Sequence, residues 1–145
     1  MRYGNGNSVR ANNYEVVYAF ASSGADTATL NGSSGNDIYQ RQQNWASLLS
    51  PGVGNSIGPA VQVFGFSQVV ANGNGGTDSA YIEDSTGNDF LFILGSQAQL
   101  AIPNQVFTIN NFKNVIVKSI NGGTDKQRIQ AFNFSLQMSG PWLNG

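Results

Sequence analysis

The chain has 145 residues and a formal net charge of −1, from 7 Lys and Arg against 8 Asp and Glu. This length admits one domain with a core, or one compact array of repeats. The balanced charge excludes the basic face that nucleic-acid binding requires, and no apolar run is long enough to cross a bilayer. The absence of histidine and cysteine excludes a Ser-His-Asp triad, thiolate metal sites and disulfides.

Short apolar runs alternate with turns rich in Gly, Asn and Ser along most of the chain. The runs are rich in β-branched and aromatic residues, which favours an all-β fold over helices. Residues 1–13 lack any such periodicity, and we interpret them as a flexible N-terminal arm. The remaining residues, 14–145, are predicted to form a single domain.

Three related stretches make up this domain, at 14–65, 66–111 and 112–145. Each begins with an aromatic residue that is followed three positions later by a valine. An aspartate follows the aromatic residue after twelve positions in the first two copies and after thirteen in the third. A second aspartate comes eleven residues later in the first two copies. Agreement in order, spacing and residue type indicates an internal repeat.

Two segments depart from the repeat. The link after Asp37 is longer than its counterpart after Asp89, which predicts an inserted loop near residues 50–58. The third copy replaces its second Gly-Asn-Asp with an alternating run, FNFSLQ, and terminal repeats are commonly atypical because they cap the stack.

A repeat of this size fits two rungs of roughly 23 residues each, so we predict a parallel β-helix or solenoid of about six rungs. An antiparallel β-sandwich is the alternative, because it also has short strands and regular turns. We expect the inward-facing positions to include Val69, Ile82, Phe92, Val115 and Ile116. The run 90–94 is apolar on both faces, and we expect the inserted loop or another subunit to cover its outer side.

Gly-x-Asp is the most specific local pattern, and it has two interpretations. In the first, the aspartate side chain accepts backbone N–H groups and builds a structural corner, while glycine supplies a positive φ. In the second, the carboxylates bind Ca²⁺, which requires six to eight oxygen ligands. We favour the corner, because few other acids are available to complete a calcium shell. The residues in this pattern are Asp26, Asp37, Asp78, Asp89 and Asp125.

The turn at 73–80 resembles the glycine-aspartate nonapeptide of RTX proteins, which implies calcium between rungs, although the step here is eleven residues. The wider combination resembles repeat modules of large secreted or surface proteins of planctomycete-type bacteria. It consists of aromatic-x-x-Val, Gly-Gly-x-Asp-x-Ala at 75–80 and Asp-Ser-x-Gly-Asn-Asp at 84–89. This resemblance implies an extracellular or cell-surface structural module without an established activity.

Catalytic groups are scarce. The candidates for a carbohydrate-active site are the carboxylates Glu83 and Asp84, with either Arg41 or Lys126 and Arg128 as basic partners. Neighbouring residues of a strand point to opposite faces, so Glu83 and Asp84 are not expected to form a working pair. Polysaccharide binding without catalysis would use exposed aromatic rings. The candidates for that role are Tyr39, Trp45, Tyr81 and Trp142.

These observations favour a non-enzymatic extracellular structural module that associates with itself end to end into a fibre or surface layer. Open strand edges at the ends of a short repeat stack pair readily with other chains, and little charge opposes this association. A calcium-binding RTX-like β-roll and a carbohydrate-binding or carbohydrate-active β-helix are the alternatives.

Overall fold

The computed structural model describes residues 16–50 and 60–145, and the regular elements in these ranges are all strands. The all-β prediction is therefore confirmed. The strands are β1 Val16–Phe20, β2 Thr27–Asn31, β3 Ile38–Gln42, β4 Trp45–Leu49, β5 Ala60–Phe64, β6 Gln68–Asn72, β7 Ser79–Glu83, β8 Phe90–Gly95, β9 Gln97–Ile102, β10 Gln105–Asn110, β11 Asn114–Lys118, β12 Lys126–Phe132, β13 Ser135–Ser139 and β14 Leu143–Asn144.

The strands form two seven-stranded mixed sheets. The first sheet has the order β1-β5-β4-β3-β7-β11-β13, and the second has the order β14-β12-β8-β9-β10-β6-β2. In the first sheet β4 alone runs against its neighbours, and in the second sheet β9 alone does so. All other neighbouring strands are parallel. Within each sheet, every strand except that one therefore runs in the same direction.

The chain passes back and forth between the sheets, and the sequence repeats follow this path. Strands β1 to β5 belong to the first repeat and lie in the first, second, first, first and first sheet. Strands β6 to β10 belong to the second repeat and have the same order with the two sheets exchanged. Each of these repeats therefore ends in an antiparallel three-stranded meander, and Gln43 and Asn104 take positive φ at its turns.

One apolar core lies between the sheets and draws on both. It includes Leu30, Leu91 and Phe107 from the second sheet, and Leu48 and Val117 from the first. Alternate residues of most strands face this core, as the two-residue period of a strand requires. The sheets thus cover each other's apolar faces.

Three of the predicted core residues are buried: Val69, Ile82 and Val115 are at most 2% exposed. The prediction was wrong for Phe92 and Ile116, which are half-buried on the outer faces. The reason is the strand period: burial of Val115 turns Ile116 outward, and burial of Leu91 and Ile93 turns Phe92 outward.

The predicted arm at 1–13 and most of the predicted inserted loop lie outside the described residues. The cover that we expected over the outer side of the run 90–94, by the inserted loop or by another subunit, stays a prediction. Phe90 is 37% exposed and Leu94 is 46% exposed.

We expect Ile82→Ala to lower the free energy of unfolding by about 2–5 kcal/mol, because it leaves a cavity in the middle of the first sheet. Urea denaturation followed by circular dichroism measures this change. Ile116→Ala is the matched control, since it removes the same atoms from the outer face of the neighbouring strand. An equal loss in both variants would contradict the assignment of the two faces.

Candidate functional site: the aspartate corners

Each of the five Gly-x-Asp motifs ends directly before a strand, where the chain crosses from one sheet to the other. Four of these aspartates are at most 2% exposed, whereas Asp26 is half-buried. The buried four form two corner pairs. In the first corner pair, 32–37 lies beside 73–78, and in the second, 84–89 lies beside 119–125.

Within the Ser-x-Gly-Asn-Asp corners, a serine closes the turn on its aspartate. The Ser33 N–H donates to Asp37 Oδ2 at 2.7 Å, and the Ser33 hydroxyl donates to Oδ1 at 3.0 Å. Ser85 makes the same two bonds to Asp89, with its hydroxyl 2.7 Å from Oδ1. This is a side-chain-closed turn of the Asx and ST kind, now bonded at both carboxylate oxygens.

Across each corner pair, side chains cap the backbone of the neighbouring corner. The Asp37 N–H donates to Asp78 Oδ1 at 2.7 Å, and the Asp89 N–H donates to Asp125 Oδ1 at 3.0 Å. In the opposite direction, the Thr77 N–H donates to Asn36 Oδ1 at 2.7 Å. The Thr124 N–H makes the same bond to Asn88 at 2.8 Å. A Gly-Asn-Asp corner is thus complementary to a Gly-Gly-Thr-Asp corner.

The second glycine of Gly-Gly-Thr-Asp is required by this packing. Gly76 and Gly123 have φ of +67° and +89°, a region that side chains rarely adopt. A Cβ atom at either position would also overlap a carbonyl oxygen of the facing corner, at Gly35 and Gly87 respectively. Any side chain there would force the two corners apart.

Asp84 is a corner residue that the Gly-x-Asp pattern did not reveal. It is fully buried and stands where Gly32 stands in the first corner pair. Its Oδ1 accepts the N–H of Ile120 at 3.0 Å, and both the N–H and the side-chain amide of Asn121 at 2.9 Å. The signal in the sequence was the repeat alignment, which places Asp84 at the start of the turn opposite Asn121.

Buried charge surrounds the second corner pair. Burial raises the pKa of Asp89, and the bonds from Ser85 oppose this rise. Arg41 is also fully buried, with Nη2 2.9 Å from the Gln43 carbonyl oxygen, Nη1 bonded to the Glu83 carbonyl oxygen and its guanidinium 4.7 Å above the Phe107 ring. Burial lowers the pKa of Arg41, and the negative charge of Asp89 opposes that effect. The guanidinium therefore supplies positive charge close to these carboxylates.

Burial also shifts pKa values in and near the first corner pair. Burial raises the pKa of Asp78, and the N–H bond from Asp37 lowers it. Tyr39 lies on the same inward face of β3 as Arg41, and burial raises the pKa of its hydroxyl as well.

Three carboxylates of the second corner pair lie close enough together to be considered as a metal site. One oxygen each of Asp84, Asp89 and Asp125 lies within 4.8 Å of the other two. Every one of their carboxylate oxygens already accepts a hydrogen bond. The other predicted calcium residues do not join this cluster: Asp37 and Asp78 lie in the first corner pair, and Asp26 bonds to Ser22 in a separate turn.

The candidate catalytic residues are placed apart. Glu83 lies half-buried on the outer face of the first sheet, while Asp84 is buried within its corner. Arg41 lies in the core, and Lys126 and Arg128 are exposed on the outer face of the second sheet.

The candidate sugar-binding aromatics also differ from one another in exposure. Tyr81 is 41% exposed, whereas Trp45 and Trp142 are half-buried. The proposed role of Tyr39 was wrong, because its side chain is fully buried between the sheets.

Comparison with known proteins gives no relatives: no family profile, no curated sequence and no solved structure matches this chain. Among the residues that the structure describes, no helix has the length and apolarity needed to cross a membrane.

We expect Asp37→Ala to lower the free energy of unfolding by about 1.5–3 kcal/mol, because two donors of Ser33 lose their charged acceptor in a buried turn. Asp26→Ala is the matched control, since it removes the same bonds from Ser22 in a half-exposed turn where water can replace them. Its expected cost is about 1 kcal/mol or less. Urea unfolding compares the two, and equal costs would show that burial of the corner does not matter.

The carboxylate oxygens of the second corner pair already accept hydrogen bonds. We therefore expect that neither excess EDTA nor added Ca²⁺ changes the melting temperature. Differential scanning calorimetry measures this. A rise in melting temperature with Ca²⁺ that disappears in Asp84→Asn would instead establish a structural calcium ion at this cluster.

Proposed function

We propose that the chain is a non-enzymatic structural module of the extracellular space or cell surface, and that it joins other copies end to end. The observation that carries this proposal is the state of the two ends of the sheets. Among the described residues, no strand pairs with the outer side of β1 and β2 at one end, or of β13 and β14 at the other. Open edges of this kind are templates for pairing with another chain.

Strand direction supports the same conclusion. Since β1 and β13 run in the same direction, β13 of one copy can accept β1 of the next in parallel. The same holds for β12 and β14 against β2 in the second sheet. Association of unlike ends does not close on itself, and therefore produces a filament.

The core is incompletely covered at the β13 end. Ile129 faces inward beside Ile93 yet remains 39% exposed, and Phe132 is 40% exposed. Leu136 and Met138 face inward and are half-buried. A following copy would bury these side chains, at roughly 25 cal/mol per Å² of apolar surface.

The finer architecture belongs to this proposal as well. We interpret the alternating path between the sheets as a flattened β-solenoid that two antiparallel meanders interrupt. The near-identical corners at equivalent positions favour this description over a β-sandwich, since a sandwich does not require them. Stacking between copies would then continue the stacking within the chain.

The test is electron microscopy and light scattering of the purified chain over a range of concentrations. We expect filaments or concentration-dependent oligomers that persist in EDTA. Met138→Lys places a charge at the end of the core and should abolish them, because inward-pointing charge blocks edge pairing. Gln137→Lys is the matched control, since it adds the same charge one residue away on the outer face.

Circular dichroism shows whether Met138→Lys keeps the native fold. Ile129→Lys provides a second test at a position that is already exposed. A wild-type chain that stays monomeric at every concentration would contradict the proposal. So would assembly that survives both inward lysines.

A further inference from the structure

The outer face of the first sheet has the chemistry of a ligand-binding surface, and the assembly proposed above does not use it. We propose that this face binds a neutral polysaccharide, with Tyr81 as the central aromatic contact. The proposal is independent of end-to-end association, which involves the strand edges.

The electrical neutrality of the face defines the class of ligand. Strand alternation places three outward residues on each five-residue strand, and the charged ones among those described are Glu83 and Lys118. They lie opposite each other on neighbouring strands and compensate each other. An anionic polymer would find no net positive charge here.

Tyr81 stands between two shallow depressions of the face, with volumes of about 200 Å³ and 250 Å³. Gln40 and Gln42 line the first depression, and Asn114 and Gln137 line the second. Amide side chains both donate and accept hydrogen bonds, as sugar hydroxyls do. The Tyr81 ring can stack on one sugar while the amides on either side hydrogen-bond to the adjoining sugars of the same chain.

The amides of the second sheet provide the contrast. On its outer face, Gln97 donates to Asn110 at 3.0 Å, Asn110 to Asn72 at 2.9 Å, and Asn72 to Asn31 at 2.9 Å. The amides of that row therefore hydrogen-bond to one another. On the first sheet Asn114 donates to the Ser79 hydroxyl at 3.4 Å, whereas Gln40 and Gln137 bond to no other side chain in the described part of the chain.

The length of the aromatic surface favours a polymer over a single sugar. Tyr18 occupies the same row as Tyr81, four strands away, which corresponds to about 19 Å at the usual strand spacing. Beside Tyr18, Phe20 stacks on Phe64 with ring centroids 4.9 Å apart, and Phe20 is 64% exposed. A single sugar is too short to contact both groups at once, whereas an extended chain of sugars is long enough.

Binding isotherms on microcrystalline cellulose, chitin and insoluble β-1,3-glucan test the proposal, with soluble alginate as the anionic comparison. We expect saturable binding to at least one neutral polymer. Tyr81→Ala should lower the affinity about three- to tenfold, which is the usual contribution of one aromatic contact. Tyr81→Phe should retain most of the affinity. Phe90→Ala is the matched control on the second sheet, where the ring is similarly exposed.

Three results would overturn the proposal: no binding to any of the three neutral polymers by the folded protein, preference for alginate, or equal losses in Tyr81→Ala and Phe90→Ala. A Tyr81→Ala variant that changes self-association instead would assign the face to a second copy of the chain. Light scattering on the same samples detects that outcome. Failure of the end-to-end assembly is reported separately by Met138→Lys and Ile129→Lys.

Discussion

The structure depends on a hydrogen bond between neighbouring corners, in which the backbone N–H of one aspartate donates to the carboxylate of another. Asp37 and Asp78 make it in one corner pair, and Asp89 and Asp125 in the other. A buried carboxylate is costly unless it is fully hydrogen-bonded, so these residues stabilise the fold only when the corners lie side by side. The bond therefore fixes the register of the adjoining parallel strands, where a one-residue slip would turn every core side chain outward.

Corner stacking also gathers negative charge in the interior, and the chain compensates it locally. In the second corner pair the carboxylates of Asp84, Asp89 and Asp125 converge, and the guanidinium of Arg41 lies near enough that the negative charge of Asp89 opposes the effect of burial on the Arg41 pKa. Removing one partner of such an arrangement leaves an uncompensated buried charge, which is strongly destabilising. Charge balance in the second corner pair thus depends on a residue from the core face of β3, not on the turn sequence alone.

The corners could be predicted from the sequence because turn closure by aspartate is a local requirement that leaves a regular spacing. The expected positive φ is found at Gly24, Gly76 and Gly123, but it was wrong for Gly35 and Gly87 of the Gly-Asn-Asp corners. Features that depend on distant partners were not predictable in this way. Asp84 has no preceding glycine, and its partner Asn121 becomes visible only when the turns are placed side by side. Arg41 was a candidate for a carbohydrate-active site, and local alternation did not reveal that the facing sheet buries it. Ile116 was misassigned since both it and Val115 are apolar, and only the facing sheet decides which is buried.

The two meanders reverse one strand inside each sheet and still leave the edge strands of that sheet running in the same direction. Each adds one reversed strand, β4 or β9, in the middle of a sheet, so that the strands at both edges keep a common direction. Growth along the stack would then repeat each outer face at a constant spacing. A weak contact at Tyr81 in one copy would recur along a filament, and many linked weak contacts raise avidity without any new contact. Under this arrangement the shallow Tyr81 surface does not need high intrinsic affinity, since assembly would supply the strength of attachment.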